Sequence, residues 1–205
     1  MFFFVNLQAE NRTNMKKAAV IISLVLMTLG VSAQEKFAVA VGENELWFEV
    51  IGESGEVRLT YPAKDWPYYS RCKPNGRVAV PSEVKRGGKR YKVVEVGDNA
   101  FYRCDSVVEV LLPEGCRRIG AQAFCGCERL QRVMWNEALE EVGEGAFAYC
   151  KGMREVRLPQ KVSRVGLSAF AMCEGLEFVE MSETAWRTCN DLTFWGCKRM
   201  KSGKK

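Results

Sequence analysis

A mainly β solenoid, wound from short strands and tight turns that recur every 23 residues, is the fold class this 205-residue sequence predicts. Three observations carry it. Ala-Phe recurs at Ala100-Phe101, Ala123-Phe124, Ala146-Phe147 and Ala169-Phe170, each 23 residues after the last, and Thr193-Phe194 follows after 24. A cysteine stands three residues after each Phe (Cys104, Cys127, Cys150, Cys173, Cys197), and a glycine stands four before the first four (Gly97, Gly120, Gly143, Gly166). After each of the first four cysteines runs an L-x-x-V-x-L pattern: Val107, Val110, Leu112; Leu130, Val133, Trp135; Met153, Val156, Leu158; Leu176, Val179, Met181. Alternation in V-x-L marks a short strand with one face buried. No single repeat can bury its apolar face alone, so about five turns must stack to make one core. The Phe rings should then form a column with a rise of about 4.8 Å, the spacing of paired strands. The Ala before each Phe keeps neighbouring turns close. The glycines serve tight turns, through positive φ or close backbone approach.

The elements follow in chain order. Met15-Lys16-Lys17 opens a basic start, residues 18–29 are apolar apart from Ser23 and Thr28, and Gly30-Val31-Ser32-Ala33 offers small residues before Gln34. This is the pattern of a secretory signal peptide. Residues 1–33 are therefore expected to be an upstream extension plus a signal peptide, with Met15 the true start and cleavage after Ala33. An uncut signal anchor is the competing reading. The apolar run is short for a membrane span, and no stable span is expected after cleavage. Residues 34–92 are expected to form a small N-terminal β cap, with strands at 45–51, 56–61, 77–81 and 89–96. Pro74-Asn75-Gly76 and Gly87-Gly88 supply turns between them. Residues 93–200 hold the repeats, and 201–205 form a basic, solvated tail. The fifth repeat departs from the frame, with Cys189, Asn190 and Thr193 where Val or Ile, Gly and Ala are the rule, and no recognisable cap follows.

The frame V-x-x-I-G-x-x-A-F-x-x-C-x-x-L-x-x-V-x-L-P, closed by Pro113 and Pro159 in two repeats, resembles the BspA-type bacterial leucine-rich repeats, also called the Treponema pallidum type. The resemblance covers about 93–200, and 34–92 is similar to the family's lead-in. It implies a right-handed leucine-rich-repeat solenoid on an exported protein, secreted, at the cell surface or in the periplasm. It also implies protein binding, in some members attachment to host extracellular matrix proteins or to another cell surface.

Composition narrows the chemistry. The chain has no histidine, which removes imidazole-based acid–base catalysis, Ser-His-Asp and Cys-His nucleophiles, and metal sites that need a His ligand. The net charge of +5 is concentrated near the two ends, leaving 34–197 slightly negative. A near-neutral body lacks the basic stripe of a nucleic-acid binder. No G-x-S-x-G, P-loop or dinucleotide fingerprint occurs, so a non-catalytic chain is expected. Nine cysteines in an exported chain allow a disulfide framework. The periodic five would instead hold parallel Cβ vectors, which suit buried thiols better than bridges. Cys116 and Cys189 also fall on inward frame positions. Cys72 and Cys125 are off-frame and expected to be exposed, with their redox state open. Cys125-Gly126-Cys127 has no second cysteine pair at ligand spacing nearby, so no metal or cofactor is expected.

The residues flanking each inward Val should point outward. They form two columns: Glu109, Arg132, Glu155, Phe178 and Leu111, Met134, Arg157, Glu180. The first column reads equally as an alternating-charge ladder, each pair worth a few tenths to about 1 kcal/mol, or as part of a partner surface. Leu111, Met134 and Phe178 favour a binding face, since nothing in the frame asks for apolar residues there. The turns around Tyr102, Tyr149 and Trp195, or the cap around Trp66, Tyr68 and Tyr69, are the next candidates. Self-association through an uncapped C-terminal edge is the alternative to binding a foreign protein.

Overall fold

The structure, a computed structural model, describes residues 36–62, 69 and 73–200. The expected signal peptide and its cleavage site, Trp66, Tyr68, Cys72 and the tail 201–205 lie outside the described residues.

Among the described residues, the regular elements of the fold are strands, with one short helix. β1 (Lys36–Val41), β2 (Asn44–Ile51) and β3 (Glu56–Thr60) form an antiparallel meander. β4 (Gly76–Ala79) follows, then β5 (Glu83–Arg86) and β6 (Lys89–Val96), a hairpin. Thereafter each repeat contributes one longer and one very short strand. These are β7 (Val107–Leu111) and β8 (Arg118–Ile119), β9 (Arg132–Met134) and β10 (Glu141–Val142), and β11 (Glu155–Arg157) and β12 (Arg164–Val165). β13 (Phe178–Glu180) and a short helix, α1 (Glu183–Thr188), close the described chain. β1 and β5 add to the expected strands. In β1 the residues Phe37, Val39 and Val41 lean on the core while Ala38 and Ala40 are exposed, the period of a half-buried strand.

One sheet runs β1-β2-β3-β6-β8-β10-β12, with β5 also paired to β6. From β3 onward its main path is parallel, and Val96, Ile119, Val142 and Val165 stand in register. A second sheet runs β4-β7-β9, and β11 pairs with β13 alone. The N-terminal strands meet the first repeat edge to edge. They extend both rows of strands, β3 parallel to β6 and β4 parallel to β7.

Between the two rows lies the core. Phe101, Phe124, Phe147, Phe170 and Phe194 stack with centroids 4.9, 5.0, 5.4 and 5.7 Å apart and planes within 9° of parallel. The first four rings are fully buried, as is the Ala before each. Phe101, Phe124 and Phe147 each donate their backbone N–H to the carbonyl of the Ala preceding the next Phe, at 2.6–2.7 Å.

The four frame glycines serve close approach alone. None has positive φ, but a Cβ on Gly143 would lie 2.7 Å from the Gly120 carbonyl carbon, and one on Gly166 2.5 Å from the Glu144 nitrogen. The left-handed positions instead fall two residues either side of Phe, as at Asn99 and Arg103, Gln122 and Gly126, Gly145 and Tyr149, and Ser168 and Met172.

A short helix opens the fifth repeat. Ser182 accepts the Ala185 N–H at 3.1 Å to start α1, and its hydroxyl donates to the Val162 carbonyl at 2.7 Å. Thr188 Oγ1 accepts the Val165 N–H at 2.9 Å. α1 thus packs along β12, the last strand of the long sheet. A six-residue helix is too short to show a 3.6-residue period, so the Ser cap was its one sequence cue.

Candidate functional site

The five longer strands of the second row present two columns of side chains outward. Val78, Val110, Val133, Val156 and Val179 turn inward and are buried. The first column is Arg77, Glu109, Arg132, Glu155, Phe178, and the second Ala79, Leu111, Met134, Arg157, Glu180, as strand register places them.

Charge pairing divides this face into two halves. Glu109 accepts from Arg132 at 3.0 Å and lies 3.7 Å from Arg77. Further along, Arg157 bonds Glu180 at 2.6 Å and lies 3.4 Å from Glu155, with its guanidinium 4.7 Å from the centre of the Phe178 ring. No ion pair joins Arg132 to Glu155 among the described residues. Such exposed pairs hold geometry more than they stabilise, each worth up to about 1 kcal/mol.

The apolar trio is not one patch. Leu111 and Met134 are register neighbours on β7 and β9, while Phe178 sits two strands away beneath Arg157. Leu111 is half-buried, whereas Met134 and Phe178 are 52% and 44% exposed. Other exposed apolar residues gather elsewhere. Trp195 is 58% and Leu192 47% exposed in the fifth repeat, and Tyr149 and Leu167 are also exposed. Leu167 takes a position filled by Asp98, Ala121 and Glu144 in earlier repeats, a frame violation that could have marked it from sequence. Tyr102 is half-buried. Tyr69 is no surface candidate, because it is buried with its hydroxyl donating to the Ala100 carbonyl at 2.5 Å.

The first sheet carries a charge ladder of its own. Arg58 bonds Glu49 at 2.7 Å, Arg118 bonds Glu95 and lies 3.7 Å from Glu141, and Glu141 bonds Arg164 at 2.6 Å. Its charges are spent on one another from strand to strand, which leaves the second row as the face with open positions.

The fully buried cysteines offer little chemistry. Cys104, Cys127, Cys150 and Cys173 are fully buried, and so is Cys116. Cys125, expected to be exposed, is half-buried, and Cys189 and Cys197 are half-buried against the core. Burial pushes the Cys104 thiol up to about 12 and Cys116 to about 11. A thiol held protonated is a poor nucleophile and a poor metal ligand. Among the described residues no cluster of three or more Cys, Asp or Glu could hold a metal ion, and no helix is long and apolar enough to cross a membrane.

Comparison with known proteins bears on this arrangement. A family model described as a BspA type leucine rich repeat region matches residues 91–203, in six copies where the Phe spacing counts five turns. No curated protein matches the chain significantly. A leucine-rich repeat protein from Bacteroides ovatus is similar in structure, with a TM-score of 0.59 and 22% identity over 80% of this chain and 46% of that one. The chain thus spans about half the length of that relative. One from Bacteroides capillosus shares 26% identity over 70% of this chain and 97% of its own, with a TM-score of 0.54. A leucine rich cell surface protein from Faecalibacterium prausnitzii has a TM-score of 0.54 and 21% identity, covering 75% of this chain and 45% of that one.

Proposed function

The chain belongs to the BspA-type leucine-rich repeat family, and on that premise we propose that it is an exported, non-catalytic protein-binding module that works at or beyond the cell surface. In this reading the repeats wind as a right-handed solenoid of about five turns and present the face of β4, β7, β9, β11 and β13 to a partner. The partner is a protein of the host extracellular matrix or of another cell surface, and no cofactor takes part.

The observation that carries the reading is the pair Met134 and Phe178, 52% and 44% exposed on strands whose inward positions are already filled by Val. Both are exposed on one face and serve no core, which leaves their apolar area available to a partner. Arg132 and Arg157 beside them supply donors of the kind enriched at interfaces. The similarity to a protein named as a cell surface protein agrees with the location, as does the signal-peptide pattern before Gln34.

The experiment is capture of matrix proteins and of whole cells by the 205-residue chain, followed by titration of whatever binds. Changing Met134 and Phe178 together to Ser should leave folding nearly intact and weaken binding by about 1–3 kcal/mol, some 5- to 150-fold. Unchanged affinity in that double variant would exclude the strand face.

Trp195 and Leu192, exposed in the fifth repeat, favour a second reading, self-association at that end. A mass that rises with concentration, and stops rising in Trp195→Ser, would support it.

A further inference from the structure

The row of longer strands is interrupted at one place. β7 and β9 are joined by Gln131 N–H to the Val108 carbonyl at 2.8 Å and Leu112 N–H to the Met134 carbonyl at 3.1 Å. β11 and β13 are joined in the same way, Glu177 N–H to Arg154 at 2.8 Å and Leu158 N–H to Glu180 at 2.9 Å. Between β9 and β11 the equivalent bonds, Arg154 N–H to Gln131 and Trp135 N–H to Arg157, are missing, and neither N–H has another partner in the described protein. The same two repeats stay bonded on either side of the opening, through Gly152 N–H to Glu128 at 2.9 Å and Ser163 N–H to Glu140 at 3.0 Å.

Trp135 stands at the opening. It fills the inward position that Leu112, Leu158 and Met181 fill in other repeats, and its indole stands edge-on to Phe147 at 5.6 Å and 75°. This larger side chain sits beside the unbonded stretch, while the Phe column beneath remains stacked. Asn136 follows where Pro113 and Pro159 stand in neighbouring repeats, and its buried amide nitrogen is left without a partner.

Two hollows lie along the open joint. One of about 730 Å³ runs across the N-terminal ends of β9, β11 and β13, lined by Arg132, Lys151, Arg154 and Arg199 with Glu155 and Glu177. The other, of about 440 Å³, is at the C-terminal ends, lined by Met134, Trp135, Arg157, Glu137 and Glu180. The joint is therefore basic at its wider end and acidic at the other. At the basic end the exposed Arg154 makes no ion pair among the described residues, and its own backbone N–H has no protein partner there.

We infer that this open joint seats an extended, acidic segment of a partner protein. The inference deepens the strand-face reading and rests on it. Carboxylates of the segment reach Arg154 and the free N–H beside it, where a charge-assisted bond is stronger than a neutral one. Apolar side chains of the segment cover Met134 on β9 and reach Phe178 on β13, one strand beyond the joint. An extended chain suits the site because it runs along the parted strands, which already offer main-chain groups.

The test is fluorescence anisotropy on the 205-residue chain at low salt with two labelled probes of about ten residues, an alternating Glu-Val peptide and an alternating Lys-Val peptide, beside a labelled sulfated oligosaccharide. The Glu-Val probe should bind at least roughly tenfold more tightly than Lys-Val. R154E should weaken it by roughly tenfold or more and R154Q by less, at unchanged melting temperature, and W135L, expected to close the joint, should weaken it too. Equal binding of the two peptides, or insensitivity to R154E, overturns the inference. So does binding of the oligosaccharide alone. If M134S/F178S abolishes capture of a matrix protein while R154E leaves that capture and the probe unchanged, the strand face stands and only the acidic segment falls.

Discussion

The first four Phe of the column are each held by a thiol from the next repeat. Cys127, Cys150, Cys173 and Cys197 direct Sγ–H at the carbonyls of Phe101, Phe124, Phe147 and Phe170, at 3.1–3.2 Å. The Phe101, Phe124, Phe147 and Phe170 carbonyls also accept the N–H of the cysteine three residues on, so the thiol takes the second lone pair. That gives a reason for cysteine at this position: it is small and apolar, with a weak donor that alanine lacks. The same burial makes stability sensitive to alkali. Cys104 is raised from an ordinary 9.0 to about 12, so its contribution is complete below pH 9 and is lost as pH climbs toward 12, by about 1.4 kcal/mol per pH unit for one such thiol. Denaturant midpoints should fall between pH 9 and 11, and Cys104→Ala should flatten that fall; an identical slope would show that the thiol ionises freely in the folded chain. Glycine gives a second prediction at this scale. Gly143→Ala must push a methyl against backbone on the neighbouring repeat, 2.7 Å from Gly120 and 2.8 Å from Ala121, and should cost about 1–3 kcal/mol or more. Gly115→Ala, with 3.6 Å of room, should stay within about 0.5 kcal/mol in the same denaturation assay.

The strands of the repeats are two to five residues long, far too short to persist alone. Each exists because its neighbours in the stack complete its hydrogen bonds, so the bond pattern matters more than β propensity. The joint between β9 and β11 tests this. By hydrogen exchange, the amides of Trp135 and Arg154 should exchange faster than their equivalents Leu112 and Leu158, Gln131 and Glu177. Trp135→Leu should slow Arg154 toward Gln131. Equal protection in the parent would mean the two strands are paired after all. α1 shows the complementary case, a helix that persists at six residues because Ser182 and Thr188 tie it to β12.

At the scale of the molecule, the Phe column and the two rows of strands make a one-dimensional stack in which each repeat touches only the next. Stability in such a stack is close to a sum of neighbour interfaces. Phe147 lies at its middle, between Phe124 at 5.0 Å and Phe170 at 5.4 Å, with Trp135 against its edge. Phe147→Ala should cost about 3–5 kcal/mol and lower amide protection in both flanking repeats. A melting temperature within about two degrees of the parent would place the ring outside the core. Ion pairs of the long sheet run along the same axis, Glu49 with Arg58 and then Glu95 through Arg118 and Glu141 to Arg164, while Met134 and Phe178 stay exposed on the other row.

Sequence by itself determined the period, the Phe column, the thiol positions, the small residues at close approach and the two outward columns. These follow from a rule repeated every 23 residues, and stacking carries a local rule through the whole fold. Only the tertiary structure decided what depends on volume or on distant partners. Trp135 reads as one more apolar residue in the frame, and its place at the open β9–β11 joint, edge-on to Phe147, appears only in the structure. Tyr69 reads as a surface aromatic until Ala100, 31 residues away, supplies its acceptor. The candidate face shows the same division. Periodicity alone places Arg132, Met134, Arg157 and Phe178 outward, but which of them pair, which stay free and where the strands part are set by contacts between repeats, and those contacts depend on side-chain size and register that no single repeat encodes.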